Sequence, residues 1–273
     1  MVVAGRVSAS PSVRPGRAAS KEFPREGARV RAMTDSPVGP AWGPEATAIL
    51  RSAATELECP LSDADERALL DFGRVFGTWN GRINLGGARS FEALVTAHLV
   101  DAFAARRFIG QGERVLDVGS GGGLPAIPLA ILCPESQFDL WEPRAKRAAF
   151  LRTAARELGL RGRVEVRMQR LEMPSTRRDG NRAGADLGGE SAVDRAAGGI
   201  FQRFTVAMSR ATWPPAEWLA RARAVAPQCR VLVFTNAAGA ATLELPGESL
   251  DYAKDRRLCV FHPRTDVPRE TGP

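Results

Sequence analysis

Apolar positions recur at helical spacing over Glu45–Glu58 and again over Ser62–Trp79, with Pro60 between them and Ser62 placed to cap the second helix. Ser90 is placed to cap a third helix running to about Phe108. The pattern then changes. Short apolar runs at Glu113–Val118, Gln137–Glu142, Arg163–Met168, Phe204–Met208, Arg230–Phe234 and Leu258–His262 read as strands. Helices are expected between them at Leu124–Cys133, Arg144–Leu158 and Pro215–Val225. Strands alternating with helices of this length form βαβ units, so the pattern predicts an α/β protein with a mainly parallel sheet. A helical layer over residues 45–108 precedes a three-layer sandwich domain over 109–273.

Two segments break the pattern. Residues 1–44 are dominated by Pro, Gly, Ser, Ala and Arg with no lasting periodicity, and read as a disordered tail or as a start assigned upstream of Met33. A transit peptide would have a similar composition. Residues 173–200 are rich in Gly, Arg, Ala and Asp and form an expected mobile insertion in the α/β domain.

The segment Val115-Leu116-Asp117-Val118-Gly119-Ser120-Gly121-Gly122-Gly123-Leu124-Pro125 carries the chemistry. A buried strand enters a turn of small residues and a helix leaves it, a geometry that lets backbone approach a ligand closely. Nicotinamide, flavin and methyl-donor enzymes all use such turns. The dinucleotide pattern counted from Gly119 would need glycine at 124, where this chain has Leu124. Asp117 also stands just before the turn, where a carboxylate repels phosphate but attracts the sulfonium and ammonium groups of S-adenosyl-L-methionine. Glu142, ending the second strand, is placed to accept hydrogen bonds from ribose hydroxyls. Asp117, Gly119, Gly121, Gly123 and Glu142 together point to a methyl-donor site.

Composition narrows the picture. The chain has 273 residues, 44% hydrophobic and 25% charged. It has no apolar run of the roughly 18 residues that cross a membrane. Four cysteines, Cys59, Cys133, Cys229 and Cys259, lie far apart and only His98 and His262 accompany them, so neither a disulfide framework nor a metal site is expected. The formal charge is +7, and residues 1–44 and 161–183 each carry seven Arg or Lys against three acids. That balance admits a nucleic-acid partner but does not require one.

With its flanking motifs the chain resembles the ribosomal RNA small-subunit methyltransferase G family, also called glucose-inhibited division protein B. Trp79-Asn80-Gly81-Arg82-Ile83-Asn84-Leu85 is similar to that family's Trp-Asn-x-x-x-Asn-Leu element, and His98-Leu99-Val100-Asp101 to its His-x-x-Asp helix. Asp117–Pro125 and Glu142–Leu151 are similar to its donor-site core, and Ser209-Arg210-Ala211 to its Ser-Arg-Ala. The chain departs at Glu142, where the family usually has Asp, and at Thr235-Asn236, where it commonly has Lys-Gly.

The resemblance implies a class I S-adenosylmethionine-dependent, Rossmann-like fold in a cytoplasmic protein, and a monomer is expected. It further implies methyl transfer to N7 of a guanosine in 16S ribosomal RNA, naked or in the small ribosomal subunit, without a metal. By it, Asp117, Gly119, Gly121, Gly123 and Leu124 would contact the donor, as would Glu142, Pro143, Arg144, Leu171, Glu172 and Arg210. Arg210, Asn80, Asn84 and His98 would shape the catalytic pocket. Trp79, Arg82, Lys146 and Arg147 would meet RNA. Trp79 could equally pack the helical layer, and Asp101 could hold His98 or cap a helix. Guanine N7 is an unprotonated lone pair at neutral pH, so orientation rather than a strong base should carry the reaction. Two other functions stay open: a methyltransferase diverged to another RNA site or a small molecule, and a non-catalytic ribosome-assembly or RNA-binding protein.

Overall fold

The computed structural model describes residues 44–173, 201–244 and 246–263. All but the last residue of the expected tail over 1–44, and nearly all of the 173–200 insertion, lie outside them. Helices α1 (Pro44–Glu56) and α2 (Asp63–Ile83) open the described chain. Ser62 caps α2 in a reciprocal capping box with Asp65, and Asn84 ends it in the left-handed region (φ 51°). The third helix is not continuous. It runs as α3 (Phe91–Leu94), a π-helical turn (Val95–Leu99) and α4 (Val100–Arg106), with Ser90 accepting from the Ala93 amide as its cap.

The sheet follows: β1 (Arg114–Val118), α5 (Ala126–Leu132), β2 (Gln137–Trp141), α6 (Ala145–Glu157), β3 (Val164–Arg167) and β4 (Val206–Ser209). Then come α7 (Pro215–Val225), β5 (Arg230–Thr235), α8 (Ala237–Ala240), β6 (Glu248–Asp251) and β7 (Arg257–Phe261). The strand order is β3-β2-β1-β4-β5-β7-β6, with β1–β5 parallel and β7 antiparallel to both β5 and β6. This is the Rossmann-like three-layer α/β arrangement expected from the sequence, with the N-terminal helices added. The final antiparallel pair qualifies the expectation of a parallel sheet, and α8 and β6 had no sequence signal.

Alternation along each strand builds two cores. Val115, Phe138, Leu140, Val206, Met208 and Leu232 face one side, where α5, α6 and the N-terminal helices cover them. Leu116, Val118, Trp141, Ala207, Val231 and Val233 face the other, toward α7. Both faces of the central strands are therefore apolar, as a parallel sheet requires. The N-terminal helices seat themselves on α5 and α6, where Leu69, Phe72 and Phe76 of α2 and Phe150 of α6 are buried. Against that background Asp117 stands out: it is 1% exposed on the side shared with the helical layer.

Candidate active site

Parallel strands deliver their following loops to one edge of the sheet, and ligands of such sheets bind there. In this chain that edge gathers the glycine turn after β1, Glu142–Arg144 after β2, Leu171 and Glu172 after β3, Arg210–Trp213 after β4 and Asn236 after β5. The turn needs its glycines. Gly119, Gly121 and Gly123 adopt φ of +78°, +53° and +70°, which side chains rarely tolerate. The amides of Gly119 and Ser120 both donate to the Trp141 carbonyl, at 2.8 and 3.2 Å, tying the turn to β2.

Glu142 adds a second tie. Its buried carboxylate accepts from the Gly121 amide at 2.9 Å through Oε2 and from the Arg144 amide at 2.8 Å through Oε1. The expected ribose contact therefore has only the remaining lone pairs of each oxygen to use. Leu124 is buried under the turn and Pro143 is half-buried, while Arg144 and Glu172 are exposed. Leu171 is buried in the core that also holds Trp141 and Phe201.

Asp117 is satisfied only in part. Its Oδ2 is buried with no hydrogen bond among the described residues. Burial is the main cause that lifts the carboxyl to about 7, against the pull of Ser120 and Arg210 and with a further push from Glu142. A buried acid with an unsatisfied oxygen beside a left-handed glycine turn fits a cationic ligand such as S-adenosyl-L-methionine, and does not fit a pyrophosphate. Among the described residues, no cluster of three or more His, Cys, Asp and Glu side chains could hold a metal.

Arg210, delivered by β4, reaches into the helical layer. Its Nη2 donates to the Ala97 carbonyl at 3.0 Å and to His98 Nδ1 at 2.9 Å, and its Nε is paired with Asp101. The His98 ring is thus an acceptor at Nδ1. Burial and the Arg210 charge hold its pKa down at about 4, so the ring is neutral near pH 7. Asp101 neither holds His98 nor caps a helix: one turn on from His98, it faces the sheet and takes Arg210, Arg256 and Tyr252 as partners.

The upstream motif supports the site from behind. The buried Asn80 donates from Nδ2 to the Ala88 carbonyl (2.8 Å) and accepts the Gly86 amide at Oδ1 (3.0 Å), which folds the 84–88 loop back on α2. Asn84 is exposed, and its backbone carbonyl accepts from Arg147 at 3.4 Å. Trp79 packs edge-on to Phe150, with ring centroids 5.9 Å apart, as part of the helical layer. Arg82 and Lys146 are exposed, whereas Arg147 is half-buried beside the glycine turn. Much of the basic charge is spent inside the fold. Arg163 donates to the carbonyls of Ala130, Cys133 and Ser136, and Arg167 and Arg203 share Asp139.

Sequence reasoning missed four residues here. The Thr212 side chain lies against Gly119, where a Cβ would meet Thr212 Oγ1. Trp213, Tyr252 and Arg256 join Arg210, Asp101 and Asn236 around a cleft of about 440 Å³. None lies in a motif, and Tyr252 and Arg256 come from the turn before β7, about 40 residues beyond Arg210 in sequence.

Residues 65–182 match the family model described as rRNA small subunit methyltransferase G. Curated relatives of that name include one from Hydrogenovibrio crunogenus, 41% identical over 142 residues, or 50% of this chain and 65% of the relative. Another, from an Acidovorax species, is 42% identical over 124 residues, covering 41% of this chain and 55% of the relative. The matched part of the chain thus spans just over half to 65% of these relatives' lengths. Among solved structures, an RNA methyltransferase from Salinibacter ruber in complex with S-adenosyl-L-homocysteine is similar at 15% identity and TM-score 0.39, covering 59% of this chain and 87% of that one.

Proposed function

From the match of residues 65–182 to the rRNA small subunit methyltransferase G family model, we propose that the chain belongs to that family and methylates N7 of a guanosine in 16S ribosomal RNA, using S-adenosyl-L-methionine. The observation that carries the reading is the buried Asp117 carboxyl beside the glycine turn, whose Oδ2 has no hydrogen bond among the described residues, with Arg210 fixed at the same sheet edge. The donor supplies an electrophilic methyl group on a sulfonium. Asp117, Gly119, Gly121, Gly123, Leu124, Glu142, Pro143, Arg144, Leu171 and Glu172 would hold it.

The remaining work is orientation. Guanine N7 carries its lone pair unprotonated at neutral pH, so no residue has to remove a proton before transfer. The site accords with that, because His98 is neutral and its Nδ1 lone pair is occupied by Arg210. Arg210 would orient the base, and the Asp117 carboxylate would stabilise positive charge through the transfer. The exposed Arg82, Arg144 and Lys146, with Arg147, would meet RNA phosphates around the turn. A ribosomal substrate puts the protein in the cytoplasm, and no helix among the described residues is long and apolar enough to cross a membrane.

Nucleoside mass spectrometry of 16S ribosomal RNA with and without the gene tests the proposal. Loss of one 7-methylguanosine, restored by the intact gene but not by a Gly119→Val variant, is the expected result. An unchanged modification profile in a protein that binds S-adenosyl-L-homocysteine would overturn the substrate and favour a diverged acceptor.

A further inference from the structure

The Asp101 carboxylate is 1% exposed and serves three partners from two distant parts of the chain. Oδ2 pairs with Arg210 Nε, while Oδ1 accepts from Tyr252 Oη at 2.8 Å and from Arg256 Nη1 at 2.6 Å. Tyr252 is itself buried, and burial together with the Asp101 charge pushes its phenol far above the ordinary range, so it remains a donor. Tyr252 and Arg256 belong to one tight turn between β6 and β7, closed by the Tyr252 amide on the Arg256 carbonyl at 2.9 Å. That turn holds two non-glycine residues in the left-handed region, Ala253 at φ 50° and Asp255 at φ 56°. Such backbone is unfavourable and persists where surrounding contacts over-determine it.

The register explains why this turn reaches the cleft. Thr235 at the end of β5 pairs with Arg257 at the start of β7, so residues just before Arg257 sit at the same sheet edge as Arg210. From the opposite side, the π-helical turn departs from the regular ladder, and the Ala97 carbonyl within it accepts from Arg210. Arg210 is therefore held by the helical layer, and the β6–β7 turn holds the Asp101 carboxylate with which it is paired. Its orientation depends on where the Asp101 carboxylate points, and Tyr252 and Arg256 fix that carboxylate from behind.

We propose that Tyr252 and Arg256 are positioning residues: through the shared Asp101 carboxylate they hold the Arg210 guanidinium at the acceptor cleft, so the β6–β7 turn sets how the acceptor base is presented. The assignment rests on the reading that this cleft receives the guanosine. Partners that orient a functional group from behind commonly change activity by about 10- to 100-fold when removed.

The experiment uses Tyr252→Phe, Arg256→Gln and Arg256→Lys in the full chain, with three readouts. Hydrogen exchange at Arg210 Nε is followed by nitrogen-15 NMR, the signal being identified by its loss in Arg210→Lys. Affinity for S-adenosyl-L-homocysteine is measured by calorimetry, and kcat and KM on small-subunit particles by methyl transfer. Tyr252→Phe and Arg256→Gln should speed Arg210 exchange and lower kcat by about tenfold or more, with donor affinity and KM within about twofold, and Arg256→Lys should recover part of kcat. Unchanged Arg210 exchange overturns the proposal, as does altered exchange with unchanged kcat. A wild-type chain that binds the donor product but methylates no ribosomal RNA removes the reading of the cleft, and the exchange rates then decide alone whether the turn holds Arg210. Should Arg256→Gln fail to fold, Tyr252→Phe, which deletes one oxygen, still decides.

Discussion

Glu142 and Gly121 are joined by a hydrogen bond of 2.9 Å from backbone amide to carboxylate, so the acid after the second strand shapes the turn after the first. The extra methylene of Glu over Asp gives it the reach to do so while its other oxygen caps Arg144 at the start of α6. In the function proposed above, donor recognition and turn geometry share one side chain.

Replacing Glu142 with Gln should expose that sharing. The amide keeps one acceptor oxygen but turns an NH2 group toward a backbone N–H, and hydrogen bonds to an ionised acceptor are worth about 1.5–3 kcal/mol. Glu142→Gln should lower stability by roughly that amount and weaken S-adenosyl-L-homocysteine binding. Denaturant melts and calorimetry check both, and a variant as stable as the parent would contradict the shared role.

Gly119 is constrained twice, by its φ of +78° and by Thr212, whose Oγ1 would meet an added Cβ. Gly119→Ala should cost about 1–2 kcal/mol from the left-handed backbone alone, plus the clash. Thr212→Ala removes the nearest offending atoms and should recover the clash but not the backbone cost. A double-mutant cycle measures this, and strict additivity would show that the two side chains do not meet.

These couplings mark where sequence reading stopped. The glycine turn, Glu142 and Arg210 were legible because their spacing and residue types are local. The β-α alternation was legible because apolar runs and helical stripes differ in period. Strand β6 was not, since Glu248–Asp251 is an edge segment with three of its four residues exposed and no alternation to read. The π-helical turn hid inside an ordinary helical stripe. Asp101's real partners were invisible because Tyr252 and Arg256 lie about 150 residues away, joined only through the β5–β7 register. Asn80 carried a motif's signature but serves to fold the loop beside it, a distinction that needs coordinates.

The neutral His98 ring predicts an acid-side loss of stability. Its folded pKa, about 4, lies below the usual value near 6.5, so between those values the unfolded chain binds a proton that the folded one does not. Stability is fully present above about pH 6.5 and falls as pH drops toward 4. His98→Asn, which offers Arg210 an oxygen but cannot titrate, should show a shallower decline over this window. Equal declines in the two proteins would place the titrating group elsewhere.

Asp117 acts in the opposite sense. Its folded pKa of about 7 exceeds the usual carboxylate value near 3.8, so the folded protein holds a proton the unfolded chain has released. Its contribution is fully present below about pH 3.8 and is lost as pH rises toward 7, at roughly 1.4 kcal/mol per pH unit across the middle of that range. A cationic donor reverses the preference, because a sulfonium or ammonium beside the carboxyl favours its ionised form. Binding should therefore expel up to one proton. Affinity for S-adenosyl-L-methionine should rise by up to about tenfold per pH unit between pH 5 and 7 and level off above. Calorimetry at pH 6 in buffers of different ionisation enthalpy counts the proton directly, and Asp117→Asn should bind more weakly with no pH dependence in this range. Release of no proton by the parent would mean that Asp117 is already ionised or does not face the donor.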